Sequence, residues 1–251
     1  MDRTRHIWNA CNLARFLEIS VPLSSVTMFQ NMSSADRSLL EAGGLLLEPR
    51  DGAFIFQEGE PADSVYAVIG GDGHVRLGSV DRNSKALMVE LSRAGDIFGE
   101  MGVLDGGPRS ASAVAEGRVR LFKIRATAFE AAMGRSPELG LELCRLLTRR
   151  LRRTYELLQD AAFETLEIRL ARQVLYLADR EGRKIADGVR LGHRLRQGDL
   201  ADLLGATTRS IITILNNWRN ADLVTYDTEK ALLTVRDVET LRALVKAGQR
   251  A

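Results

Sequence analysis

Residues 99–113, GEMGVLDGGPRSASA, hold the densest concentration of chemically useful groups in the chain. Gly99, Gly102, Gly106 and Gly107 let backbone amides come close to a bound group, Ser110 offers a hydroxyl donor, and Arg109 offers a planar fork that matches an anionic phosphate. Such a segment suits a phosphate cradle made from a turn and a short helix N-terminus. Glu100 repels phosphate, but its carboxylate accepts hydrogen bonds from sugar hydroxyls. Phosphate and sugar groups side by side imply a nucleotide. Taken singly, Glu100 or Arg109 is most often an ordinary surface residue, and the chain contains no GxxxxGK phosphate loop.

A second concentration is LRQGDLADLLGATTRSIITILNNW, residues 195–218, which has the spacing of a helix-turn-helix. Leu200, Ala201, Leu203 and Leu204 form one short helix, Gly205 permits a tight turn, and Ile211, Leu215 and Trp218 set the apolar stripe of the next helix against the first. The 3.6-residue period then turns Thr208, Arg209, Ile212, Thr213 and Asn216 outward. Arginine suits guanine, asparagine suits adenine, and the Thr and Ile methyls suit the thymine methyl. Gln197, at the head of the first helix, joins Thr207, Thr208, Arg209, Thr213 and Asn216 as a candidate DNA contact. Thr207 or Thr208 can cap the second helix and leave its positive end facing a phosphate. The runs LVTYD and ALLTV, flanking Thr228-Glu229-Lys230, read as a wing whose Lys230 either rests on the DNA backbone or, as a surface lysine in a hairpin usually does, is simply solvated. Helix-turn-helix units also serve as protein-interaction modules, so that reading stays open.

Three textures position these groups. From about Phe54 to Ile124, short β-rich runs punctuated by glycine predict a barrel, roll or sandwich. Residues 126–162 change to helical spacing, with Leu143, Leu147, Leu151, Thr154, Leu158 and Ala161 on one stripe. That stripe either packs on its own β-domain or zips against the same helix of a second subunit, and its knobs-into-holes spacing favours the second. Helices come next at 164–179, 195–204 and 208–220, and a last one begins near Asp237. The division is a 1–26 extension packing on its neighbouring domain, a 27–135 β-domain, a 136–163 helix and hinge, and a 164–251 DNA-binding unit.

The chain has 251 residues, 45% hydrophobic and 27% charged, the make-up of a globular protein. Net charge is −3 over residues 27–135 and +3 over 164–251, so an acidic half precedes a modestly basic one. Two cysteines, Cys11 and Cys144, exclude a disulfide framework and a four-thiolate metal or iron–sulfur site, and point to a reducing, cytoplasmic setting. No run of 18 apolar residues exists to span a membrane, and charges interrupt the first 20 residues, unlike a secretory signal. His6, His74 and His193 are scattered, and no metal-ligand cluster or nucleophile, base and orienter set is present, so an enzyme is not expected.

Gly99-Glu100 through Pro108-Arg109-Ser110-Ala111, together with the helix-turn-helix, resembles the CRP/FNR family of bacterial transcription regulators over about residues 27–245. The resemblance implies an α+β chain: an N-terminal cyclic-nucleotide-binding β-roll (jelly-roll-like), a long dimerisation helix and a C-terminal winged helix-turn-helix. By it, Arg109 and Ser110 hold the cyclic phosphate, and Glu100 with the Gly99 backbone holds the ribose 2′-hydroxyl of cyclic AMP or cyclic GMP. RRLRRTYELL, residues 149–158, resembles the family stretch that closes over the base: Arg150 pairs with the cassette glutamate and Thr154 contacts the base edge, or bonds back to the previous turn. Tyr155 replaces a serine that reaches the other subunit's ligand, leaving it to stack on, bond to or block the purine. Thr208, Arg209 and Thr213 depart from the family's Arg-Glu and following Arg, so its DNA sequence is not carried over.

The resemblance further implies a homodimer on double-stranded DNA, an inverted repeat with half-sites about 34 Å apart, a hinge near Phe163, and contact with RNA polymerase. No metal and no iron–sulfur cluster is expected. The hairpin GGDGHV, residues 70–75, is longer than the family's usual turn and is expected to leave His74 exposed. A member sensing another ligand or constitutively active, and a nucleotide-binding module whose C-terminal unit meets a protein, are the alternatives.

Overall fold

Short apolar runs broken by glycine favour paired strands, and the computed structural model, which describes residues 23–80, 86–192 and 194–248, folds them into two four-stranded antiparallel sheets. The first has the order β1 (Leu45–Leu47), β8 (Val119–Arg125), β3 (Ser64–Gly71) and β6 (Ile97–Phe98). The second has the order β2 (Phe54–Phe56), β7 (Ser112–Glu116), β4 (His74–Val80) and β5 (Ala86–Ser92). Alternating side chains from both sheets, Phe56, Tyr66, Val68, Val75, Phe98 and Leu121, fill the space between them. Strand β1 lies upstream of the β-rich span that the sequence suggests.

The outer face of the first sheet is covered by helices α1 (Ser34–Ala42) and α3 (Ala126–Arg135) and by the start of α4 (Pro137–Phe163), through Phe29, Leu40, Ile124, Phe129 and Leu139. The end of the predicted N-terminal extension joins this core, since Leu23 and Val26 are fully buried. The helical pattern around Ile7–Leu17 lies outside the described residues. A break at Ser136 separates α3 from α4: the Ser136 hydroxyl accepts from Leu139 N at 3.4 Å, and Pro137 occupies the first turn, where no amide donor is needed.

The apolar stripe of α4 divides between its two readings. Leu139 and Leu143 are buried in the chain's own core, whereas Leu151 and Leu158 are 58% and 65% exposed, and Phe163 at the helix end is 84% exposed. The stripe of coiled-coil spacing thus begins in the chain's own core at Leu143 and Leu147 and runs out uncovered from Leu151.

After α4 the chain forms α5 (Leu166–Glu181), the hairpin β9 (Arg183–Ile185) and β10 (Gly188–Arg190), then α6 (Gln197–Leu204), α7 (Thr208–Asn220), β11 (Val224–Asp227), β12 (Leu232–Val235) and α8 (Val238–Gly248). The wing is the predicted hairpin β11–β12, extended by β10 and β9 into a four-stranded sheet. Strands of three residues carry too little periodicity to be read in advance. His74 is 4% exposed, contrary to expectation, with Nε2 3.1 Å from Glu116 Oε2, because the register opposes His74 to Glu116 inside the β4–β7 ladder.

Candidate functional site

Strand β6 delivers the cassette: Ile97 and Phe98 pair with Ala67 and Tyr66, and the chain then leaves the sheet through Gly99 at φ +77°. A β-carbon on Gly99 would lie 2.8 Å from Arg109 Nη1 and 3.2 Å from the Phe56 ring, so both backbone and packing demand glycine. The short helix α2 (Met101–Asp105) comes next, and a loop returns through Pro108, which bridges to Pro61. Arg109 N donates to Glu60 O at 2.8 Å and Arg109 O accepts from Gly59 N at 2.9 Å, stitching the loop to the turn before β3.

Arg109 is 3% exposed. Its Nη1 donates to Gly99 O at 2.7 Å and its Nη2 to Ser64 Oγ at 3.1 Å, with Asp63 Oδ1 at 3.5 Å and the Phe56 ring centroid 4.2 Å below the guanidinium. Burial lowers its pKa, partly offset by Tyr66 and the carboxylates nearby. Arg109 Nε is buried without a hydrogen-bond partner among the described residues. Ser110 is exposed, its hydroxyl 3.5 Å from Met101 Sδ.

Glu100 is 2% exposed, with Oε1 accepting from Arg150 Nη1 at 2.5 Å and Oε2 buried with no partner among the described residues. The expected pairing of Arg150 with the cassette glutamate is therefore present. The same guanidinium donates through Nη2 to Glu90 Oε1 at 3.0 Å and to Ile97 O at 2.7 Å. Burial works against charge on Arg150, but Glu100 and Glu90 outweigh it and raise its pKa. Burial raises the pKa of Glu90, with Arg150 pulling the other way. Sequence reasoning missed Glu90; its signal was a lone carboxylate in the apolar run ALMVEL. Asp63 and Ser64, which fix Arg109, carried no comparable signal.

A cavity of about 500 Å³ opens beside this cluster, walled by Glu90, Ile97, Met101, Arg150 and Thr154 and, from α5, by Tyr176. Thr154 is exposed and donates to Arg150 O at 3.0 Å, the back-bond that competes with a ligand-contact role. Glu100, Arg150 and Thr154 are thus brought to one region. Arg109 lies behind Gly99, turned into the roll, and Ser110 and Tyr155 stand outside the cavity wall, Tyr155 60% exposed on α4.

In the C-terminal unit the turn forms as its sequence dictates. Gly205 takes φ +60° after α6, and Thr207 caps α7, its hydroxyl accepting from Ser210 N at 3.2 Å. Ile211, Leu215 and Trp218 are buried, while Thr207, Thr208, Arg209 and Thr213 are exposed and Asn216 and Gln197 half-buried. Thr213 spends its hydroxyl proton on Arg209 O at 3.0 Å. One face of α7 therefore carries the polar candidates away from the core. Among the described residues no group of three His, Cys, Asp or Glu side chains could hold a metal, and no helix is long and apolar enough to cross a membrane.

Residues 47–136 match the family model of a cyclic nucleotide-binding domain, and residues 168–244 that of a Crp-like helix-turn-helix domain. The chain is 31% identical over 191 residues to the CRP-like cAMP-activated global transcriptional regulator of Mycobacterium tuberculosis, covering 75% of this chain and 84% of that protein. It is 27% identical to the global nitrogen regulator of Synechococcus elongatus, over 80% of this chain and 88% of that one. The structure of FixK2 from Bradyrhizobium japonicum shares the fold, with a TM-score of 0.69 at 21% identity over 80% of this chain and 96% of that one.

Proposed function

The chain belongs to the CRP/FNR family of transcription regulators, and we propose that it works as a homodimer whose β-roll takes up cyclic AMP or cyclic GMP and thereby reorients its winged helix-turn-helix units onto an inverted-repeat DNA site. The observation that carries this reading is a pair of orphaned buried atoms in the cassette: Arg109 Nε, a donor, and Glu100 Oε2, an acceptor. A buried polar atom without a partner is costly. A cyclic nucleotide offers a partner for each: a ribose 2′-hydroxyl for Glu100 Oε2, and an anionic phosphate oxygen for Arg109 once its guanidinium turns from Gly99 O and Ser64 Oγ towards the ligand.

In this reading residues 27–135 sense, 136–163 dimerise and hinge, and 164–251 bind DNA. Arg109, Ser110 and the Gly99 backbone hold phosphate and ribose, Glu100 stays oriented by Arg150, and Thr154 and Tyr155 meet the base. The exposed Leu151 and Leu158 form the subunit seam. Gln197, Thr207, Thr208, Arg209, Thr213 and Asn216 face the DNA, with RNA polymerase as a further partner in the cytoplasm. Driving such a switch from mostly off to mostly on needs about 10⁴-fold tighter ligand binding to the active arrangement.

A second reading, a member answering to a different ligand, is favoured by one observation: the Arg109 guanidinium is already held by Gly99 O and Ser64 Oγ and does not line the cavity. The test is selection of duplexes from a random pool by the full chain with cyclic AMP, with cyclic GMP and with neither. Enrichment of an inverted repeat only with a nucleotide supports the proposal. Equal enrichment in all three arms supports a DNA-binding member that does not answer to these nucleotides, and no enrichment in any arm contradicts the proposal.

A further inference from the structure

We infer that the strand leading into the cassette is also the seat of the DNA-binding unit, and that this contact is a clasp which holds the unit in a resting position. Two features on residues 88–97, and a third that ties the neighbouring helices, support it. The first is apolar. In the β4–β5 ladder Leu77 pairs with Glu90 and Gly78 with Met88, so Val89 is an inserted bulge residue. A one-residue insertion exchanges the faces of a strand, which puts Met88 and Leu91 on the same side. Both are buried in the core of the C-terminal unit, 2% and 7% exposed, with α6 covering β5.

The second feature is ionic. Arg180 Nη2 of α5 donates to Asp96 Oδ2 at 2.7 Å, and Arg93 pairs with Glu181 at the end of the same helix. The third ties α4 to α5 over the same cavity: Arg153 donates to Gln173 Oε1 and lies 4.2 Å above the Tyr176 ring centroid. Residues 90 and 97 meanwhile hold Arg150, the partner of Glu100. One short segment therefore grips the nucleotide-site helix with some residues and the DNA-binding unit with the residues between them.

The clasp opposes DNA binding. For α7 to enter a major groove, the preceding helix must cross the phosphate backbone. Here α6 is instead spent on β5. A ligand that moves Arg150 or the cassette moves the segment on which the unit is seated. This role rests on the proposed DNA-binding function for its consequence, but not for the contact itself.

The experiment uses the full chain, wild type and with Arg180→Asp or Met88→Lys. Neither residue belongs to the cassette or to the DNA-contact set, and Arg180→Asp keeps the test alive should Met88→Lys fail to fold. Small-angle scattering without nucleotide reads the docking, and fluorescence anisotropy reads affinity for the duplex enriched by the nucleotide-loaded wild type. Both variants should expand the scattering profile and tighten nucleotide-free DNA binding, by about fivefold or more for the lost ion pair and further for the buried charge. The nucleotide's enhancement of DNA binding should shrink by the same factor. An unchanged profile overturns the clasp, and expansion with unchanged or weaker DNA binding overturns its inhibitory role. Failure of the wild type to bind any duplex counts against the proposed function, while scattering still decides the clasp.

Discussion

Removing the ribose 2′-hydroxyl from the ligand tests the cassette at a single atom. Glu100 Oε2 is buried without a partner among the described residues, while Oε1 is engaged by Arg150 at 2.5 Å. Leaving such an acceptor unpaired costs about 1–3 kcal/mol, so a 2′-deoxy cyclic nucleotide should bind about 5- to 150-fold more weakly than its ribose counterpart. In Glu100→Ala the acceptor is gone, and the two ligands should bind alike, both near the weaker value. Arg150 retains Glu90 and Ile97 O in that variant, so no guanidinium is stranded. Equilibrium dialysis of wild type and variant with each ribose and deoxyribose pair, adenine and guanine, measures the ratio. A wild-type ratio near one, or a ratio that survives Glu100→Ala, refutes the assignment of Glu100 to the sugar.

Other parts of the chain give three further expected outcomes. The Glu116 carboxyl is brought down to about 2 from the usual 4.5 by its hydrogen bond with His74 and, against the opposing pull of burial, by Arg76. A depressed carboxyl pKa adds stability that is fully present above pH 4.5 and fades as pH falls towards 2, about 3 kcal/mol in all. Glu116→Gln should therefore flatten the acid limb of denaturant-measured stability, and an unchanged limb contradicts the ion-pair assignment. Arg209→Ala should lose about 1–3 kcal/mol of discrimination at one base position of each half-site, read by binding to single-substituted duplexes; a uniform loss at all positions makes Arg209 a backbone contact. Leu158 is 65% exposed in the single chain, and Leu158→Glu should weaken self-association about tenfold or more in sedimentation equilibrium, since burying one leucine contributes about 1.5–3 kcal/mol. An unchanged association constant removes Leu158 from the seam.

The parts of the fold legible in the sequence are those with long or redundant signals. The stripe from Leu143 to Ala161 and the pairing of Leu200 and Leu204 with Ile211, Leu215 and Trp218 repeat over several turns, and α4, α6 and α7 form there. Gly205 and Thr207 mark the turn because backbone and cap chemistry permit few residue types there. The strands at Leu45–Leu47, Arg183–Ile185 and Gly188–Arg190 are too short to show a period. At the site, local spacing located Gly99, Glu100 and Arg109, and the family resemblance located Arg150. Neither revealed Ser64, Asp63 or Glu90, which reach the cassette from β3, the turn before it, and β5, because sheet register sets those contacts. The burial of His74 went unread for the same reason: Glu116 is its partner 42 residues away.

The most direct test of the central claim is titration calorimetry of the nucleotide-stripped full chain with cyclic AMP and with cyclic GMP, with Arg109→Ala as the control. Micromolar or tighter binding of at least one nucleotide, lost in Arg109→Ala while the thermal unfolding of the protein is retained, is the predicted result. No heat of binding with either nucleotide, or affinity unchanged in Arg109→Ala, would contradict the cassette as a cyclic-nucleotide site and leave the regulator to answer to another signal.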